Sequence, residues 1–299
     1  MLQSMNRSVR RAVICAAGLV LAAVAAGVSG VAPPLWPDGT VNAGSIGAQP
    51  VGPALKTFPL LARHASTGKL RAYEPNGTGG LKSGYELGGG FGDATALAQA
   101  NVSEGGRAND IYHRAAGTLY YTAEHGNDTK VVGGGWDIYN TIVSVGNMGG
   151  SADADLVGRD ASGSLWLYQG KSDGTLAARI RIGTGWNAMT LVGRGDYTGD
   201  GKADLLARYS DGTLNIYAGT GAATADAVVA ARYPVGGGWD AYKTLASAGD
   251  TDGDGKTDLI AADPAGALWL FKGTGNAAAP FAARVQIGTS GWAAFDVLF

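Results

Sequence analysis

The sequence predicts an all-β fold, a five-bladed β-propeller closed by pairing of the C-terminal strand with the N-terminal blade, and three observations carry that prediction. Trp136, Trp186, Trp239 and Trp292 each follow a glycine-rich step, GGGW, GTGW, GGGW and TSGW, at spacings of 50, 53 and 53 residues, a period that suits one propeller blade. Each period holds about four short apolar segments, and 50 glycines in 299 residues, with no Gly-X-Y period, point to many tight turns. Finally, the chain ends on GWAAFDVLF, a first strand with nothing after it, whereas the N-terminal unit begins at what would be its second strand. Joined in space, the two ends make one complete unit, and closure removes the exposed sheet edges that invite aggregation.

The elements follow in order. Residues 1–32 combine a basic start (Arg7, Arg10, Arg11) with the apolar run AVICAAGLVLAAVAAGV and small residues through Ala32, the pattern of a secretory signal. Removing them takes away three arginines and the single cysteine, which shifts the net charge from −2 to −5 and leaves no possible disulfide. An extracellular protein without cysteine must be held by core, closure or metal. Residues 33–57, rich in Pro, Gly and Ser, show no periodicity and read as a flexible lead-in to a propeller spanning 58–299. The first unit, FPLLARHASTGKLRAYEPNG, is incomplete, and the second has Phe91 where the others have tryptophan. The third, fourth and fifth units start at Trp136, Trp186 and Trp239 and share one order: apolar segment, acidic or polar loop, a DLL-type segment, a turn, and a segment such as TLNIY. In LWLY (165–168) and LNIY (214–217) both strand faces are apolar or aromatic, as expected for a sheet sandwiched between neighbours. The recurring aromatic Tyr73, Tyr168, Tyr217 or Phe271 reads as core.

The loop GDTDGDGKTDL places Asp250, Asp252, Asp254 and Asp258 within nine residues, with Gly255 allowing a sharp turn and the Lys256 carbonyl available as a further oxygen. Alternating carboxylates that converge on one centre would repel one another without a cation, and hard oxygen donors select Ca²⁺. The related loop GDYTGDGKADL offers Asp196, Thr198, Asp200, the Lys202 carbonyl and Asp204. Position twelve is Ala261 rather than Glu and the flanks are strand-like, so neither loop is an EF-hand. The corresponding stretches at 147–155 and 101–110 keep only Asn147, Ser151, Asp155 and Asn101, Ser103, Asp110, and read as degenerate turns.

Acidic loop, DLL strand, DGTL turn and GTGW step together resemble FG-GAP or VCBS repeats, the calcium-loop units of integrin heads and of many secreted bacterial proteins. The resemblance covers residues 58–299, with three units clear and two weak. It departs from the family in lacking a literal Phe-Gly-Gly-Ala-Pro run and in having five units where integrins have seven. It implies a calcium-stabilised propeller and fixes no activity.

Catalytic constellations are not evident. His64, His113 and His125 lack metal-ligand spacing, and there is no GxSxG, P-loop or HExxH motif. A five-bladed glycoside hydrolase would draw carboxylates from Glu74, Glu86, Asp93 or Asp137 toward the central channel. The scattered positive charges exclude a nucleic-acid partner. The better reading is a secreted, monomeric calcium-binding module for a carbohydrate or another cell-surface ligand. Trp166, Trp269 and Tyr120, at equivalent positions, are candidate sugar platforms. A protein–protein adhesion or scaffold module is the alternative.

Overall fold

The computed structural model describes residues 57–102, 110–123 and 129–299. The proposed signal, nearly all of the lead-in, Ser103 and His125 lie outside the described residues. Among the described residues, twenty strands form five antiparallel four-stranded sheets. The first blade contains β1 (Leu60–His64), β2 (Leu70–Tyr73) and β3 (Tyr85–Gly88), and the second β4 (Ala96–Ala100), β5 (Asp110–Ala115), β6 (Thr118–Thr122) and β7 (Lys130–Gly133). The third comprises β8 (Tyr139–Gly146), β9 (Asp155–Asp160), β10 (Leu165–Tyr168) and β11 (Ile180–Gly183). The fourth holds β12 (Thr190–Val192), β13 (Leu205–Arg208), β14 (Leu214–Gly219) and β15 (Val229–Gly236). The fifth is β16 (Thr244–Ala246), β17 (Leu259–Ala262), β18 (Leu268–Phe271) and β19 (Val285–Gly288), and the chain ends in β20 (Phe295–Leu298).

The predicted closure is present. Strand β20 pairs with β1 in the order β20-β1-β2-β3, with Ala62 opposite Leu298 and Arg63 opposite Val297. Backbone bonds in both directions between Leu61 and Phe299, each 2.9 Å, extend the seam. Blade order therefore follows chain order, and each first strand is innermost: β4 touches β8, β8 touches β12, and β16 touches β20.

The glycine-rich steps join the blades. In GGGW and its relatives the glycine before tryptophan adopts a left-handed backbone, φ 77° at Gly135, 83° at Gly238 and 93° at Gly291, which a side chain would strain. The tryptophan N–H then bonds back to the preceding blade, Trp136 to the Gly117 carbonyl at 2.8 Å and Trp239 to that of Gly212 at 3.0 Å. Its ring packs on the aromatic of the following blade: Trp136 on Tyr168 (4.7 Å), Trp186 on Tyr217 (4.4 Å), Trp239 on Phe271 (4.6 Å) and Trp292 on Tyr73 (4.6 Å). The recurring aromatics, expected to be core, are half-buried and pack against the core clusters, and each contact ties two consecutive blades together.

A second tie comes from arginine. Arg63, Arg114, Arg159 and Arg208, each on the second strand of its blade, donate to backbone carbonyls of the next blade's entry turn. Arg208 Nη1, for example, reaches the Trp239 carbonyl at 3.0 Å and that of Tyr242 at 2.5 Å. Part-buried bonds of this kind contribute about 1 kcal/mol each. Ala262 stands in that place in the fifth blade, where Lys243 Nζ instead reaches the Phe295 carbonyl at 3.2 Å.

Candidate functional site

Each of the later four blades ends its first loop with a buried aspartate: Asp110, Asp155, Asp204 and Asp258. Asp110 accepts from the Val102 N–H at 2.8 Å, and the other three accept backbone hydrogen bonds from two directions. Asp258 takes the Thr251 N–H at 2.9 Å on one oxygen and the Gly273 N–H at 2.7 Å on the other. Asp204 takes the N–H groups of Tyr197, Thr198 and Gly219, and Asp155 those of Met148, Gly149 and Gly170. The carboxylate thereby pins the loop to the start of the third-to-fourth strand connection. Burial pushes the Asp204 and Asp258 carboxyls up to about 6, with their backbone donors pulling the other way.

The remaining acids of the 250–258 loop behave differently. Asp250, Asp252 and Asp254 bring one carboxylate oxygen each within 4.8 Å of one another. Asp250 also orders the turn, accepting from the Gly253 N–H at 2.7 Å and the Gly255 N–H at 2.8 Å. Lys272 from the third-to-fourth strand connection lies 2.9 Å from Asp252, and Lys256 Nζ 3.6 Å from Asp254. Three carboxylates that each bring one hard oxygen to a common point suit Ca²⁺, so the donor set fits such an ion. Asp258, proposed from sequence as the late ligand, is not in this cluster; its oxygens face backbone N–H groups instead.

The 196–204 loop follows the same turn without the same gathering. Asp196 accepts from Gly199 N–H at 2.6 Å and Gly201 N–H at 2.7 Å, and Thr198 Oγ1 lies 3.4 Å from Asp196 Oδ1. Asp200 is exposed, receives the Lys202 N–H at 2.9 Å and lies 3.9 Å from Lys202 Nζ. Asp196, Asp200 and Asp204 do not form a three-carboxylate cluster among the described residues.

The candidate platforms are half-buried and engaged. Trp166 Nε1 donates to Asp160 at 2.8 Å, and the Arg179 guanidinium stacks 4.0 Å from its ring centre. Trp269 repeats the arrangement with Asp263 at 2.9 Å and Arg284 at 4.2 Å. The bonds from Ser162 and Trp166 hold the Asp160 carboxyl down to about 2. Tyr120 stacks on buried His113, ring centres 5.0 Å apart. One face of each platform is therefore already covered.

Sequence reasoning missed a more open aromatic site. Between the fourth and fifth blades lies a cavity of about 350 Å³, lined by Trp239, Tyr242, Phe271 and Phe281 together with the backbone of Gly237–Gly238 and Ala278–Ala279. The Arg284 guanidinium donates to Tyr242 Oη beside it. Phe281 is the feature that sets this groove apart, since Leu81 and Leu176 occupy the equivalent bridge positions of the first and third blades. The signal available in the sequence was an aromatic in the segment AAAPFAAR, after the fifth blade's third strand.

The carboxylates considered for hydrolysis stand apart from the axis. Glu74 accepts from Tyr85 Oη at 2.9 Å, Glu86 pairs with Lys69 at 2.8 Å, and Asp93 and Asp137 are exposed. None of the four lines the small cavity of about 70 Å³ where the innermost strands of the five blades meet.

Residues 150–207 and 196–258 match the family model of the FG-GAP-like repeat. The chain is thus a five-bladed propeller in which residues 150–258 match the FG-GAP-like repeat. No curated protein matches the sequence. Similar solved structures include a protein of unknown function from Bacteroides caccae, at 12% identity and TM-score 0.38, over 77% of this chain and 73% of that one. The BP39L lectin from Burkholderia pseudomallei is similar at 13% identity and TM-score 0.46, over 80% and 73%. The SapL1 lectin in complex with alpha methyl fucoside is similar at 13% and 0.37, over 77% and 81%.

Proposed function

We propose that this protein is a secreted, calcium-binding β-propeller that serves as a binding module for a carbohydrate or another cell-surface ligand. The observation that carries the ligand reading is the aromatic cavity between the fourth and fifth blades, whose volume of about 350 Å³ falls within the range of small-molecule sites. Aromatic faces accept the apolar face of a sugar ring, while the flanking backbone groups and the Tyr242–Arg284 pair offer hydrogen bonds to its hydroxyls. Calcium would be held by Asp250, Asp252 and Asp254, and it would replace the lysine contacts that now balance their charge.

A glycan array with and without chelator tests the ligand reading. The wild type is expected to give reproducible hits that Phe281→Ala loses while circular dichroism shows the variant still folded, since Phe281 is half-buried at the edge of its aromatic cluster. Failure to retain any glycan would refute the carbohydrate reading and leave a protein ligand. Release of sugar from a polysaccharide would point to a hydrolase.

A further inference from the structure

The third, fourth and fifth blades each bring an arginine to a tyrosine hydroxyl, and the fifth leaves that corner unfinished. In the third, Arg179 donates to the Tyr139 hydroxyl at 2.9 Å, and that hydroxyl shares a second hydrogen bond with the hydroxyl of Tyr168. In the fourth, Arg232 lies 3.5 Å from the Tyr209 hydroxyl, which is paired with that of Tyr217. In the fifth, Arg284 donates to the Tyr242 hydroxyl, but Phe271 stands where the other strands carry Tyr168 and Tyr217. A phenol that accepts from arginine still has its own proton to donate, and phenylalanine offers it no acceptor. Among the described residues the Tyr242 hydroxyl makes no other hydrogen bond.

The guanidinium is unfinished as well. Arg284 is exposed, its carbon lies 4.2 Å from the centre of the Trp269 ring, and among the described residues only its Nη1 meets an acceptor. That leaves the Nε–Nη2 edge open. The same edge of Arg181 grips Asp226 at 2.8 and 2.6 Å, and that of Arg63 grips Asp296 at 3.0 and 2.7 Å. Asp263, at the other end of the Trp269 indole, accepts the indole N–H and the Ala267 N–H instead.

This corner adjoins the aromatic cavity between the fourth and fifth blades. Tyr242 and Ala282 line that cavity, and Arg284 follows Ala282 by two residues. No side chain of the lining is charged. The corner therefore presents spare donors beside an aromatic wall, a combination suited to an oxygen-rich anion carried on an apolar body.

We propose that this site selects an acidic glycan. A sugar carboxylate, as in a hexuronic acid, is held by the Nε–Nη2 edge of Arg284, the Tyr242 O–H donates to a ring oxygen, and the apolar face of the sugar packs on the aromatic wall. The inference rests on the carbohydrate reading and names the sugar class. The planar fork of arginine matches a carboxylate with two parallel hydrogen bonds, and stacking on Trp269 holds the fork in place before the ligand arrives.

The test is calorimetric titration of the full chain with tetrasaccharides of hyaluronan, alginate and polygalacturonate, each also as its methyl ester, and with neutral cellotetraose. At least one acidic tetrasaccharide is expected to bind saturably, and its ester, which keeps the shape and removes the charge, about tenfold or more weakly. Arg284→Gln should weaken the acid by about the same factor while leaving the ester unchanged. Arg179→Gln, the matching change in the third blade, should leave binding intact. Circular dichroism checks folding, and the comparison of acid with ester decides alone if Arg284→Gln does not fold. Esters or cellotetraose bound as tightly as the acids, with Arg284→Gln without effect, would overturn the acidic class while the carbohydrate reading stands. Absence of binding by every acidic probe would also overturn it, and the carbohydrate reading falls with it only if the glycan array is blank too.

Discussion

The third and fifth blades carry the same loop in two states of charge, and the difference separates architecture from ligand. In the 147–155 loop, Asn147 bonds the Ser151 carbonyl, Ser151 Oγ donates to Asp155 at 3.1 Å, and no side chain beyond Asp155 and half-buried Asp153 brings charge. The 250–258 loop closes the same way on Asp258 and adds three clustered carboxylates with two lysines. What the two share is the buried aspartate that pins the loop, so that residue belongs to the fold. What only the fifth has is a concentration of like charge, which a fold gains nothing from unless a cation answers it.

The contrast can be broken at its common element. Asp155→Ala and Asp258→Ala each leave two or more buried N–H groups without acceptors, at about 1–3 kcal/mol apiece. Both variants are expected to lose about 3–5 kcal/mol in urea unfolding with chelator present. A loss confined to Asp258→Ala would show that the shared role is misassigned.

The second blade sharpens it through pH. Where the fifth blade has Ala261, the second buries His113 against Tyr120 and Phe91, and burial holds its imidazole down to about 4 from 6.5. The unfolded chain takes up that proton first, so stability is full above pH 6.5 and is lost as pH falls through 4. The loss reaches about 3 kcal/mol. Asp204 and Asp258, raised by burial to about 6, act with the opposite sign over an overlapping window. Urea midpoints at pH 7 and 4.5 should therefore separate more in wild type than in His113→Leu; equal separations would contradict the neutral buried ring.

A smaller difference is expected between blade ties. Arg208→Ala removes bonds to two carbonyls and should cost about 2 kcal/mol, whereas Lys243→Ala removes one and should cost about 1 kcal/mol. Equal costs would mean that the arginine ties are not special.

Much of this architecture was legible because a repeat announces itself. The tryptophan phase located the blades, and the unmatched ends predicted the β20–β1 seam that is observed. The roles of single residues were harder. Asp258 looks like one more ligand in a run of acids, since sequence carries no sign that its oxygens face inward to backbone donors. Its recurrence as Asp110, Asp155 and Asp204, even where the other acids are lost, was the available clue. Arg63, Arg114, Arg159 and Arg208 recur in the same way at the end of a strand, where a charge reads as solvated. The covering of Trp166 and Trp269 by Arg179 and Arg284 depends on pairing between adjacent strands, a long-range fact that no local pattern states.

Melting temperature as a function of added calcium tests whether architecture and cation binding reside in different aspartates of one loop. Wild type and Asp155→Ala should both show a saturable rise that chelator reverses, Asp155→Ala from a lower starting point, while Asp254→Ala shows none. No rise in the wild type, or an undiminished rise in Asp254→Ala, would contradict it.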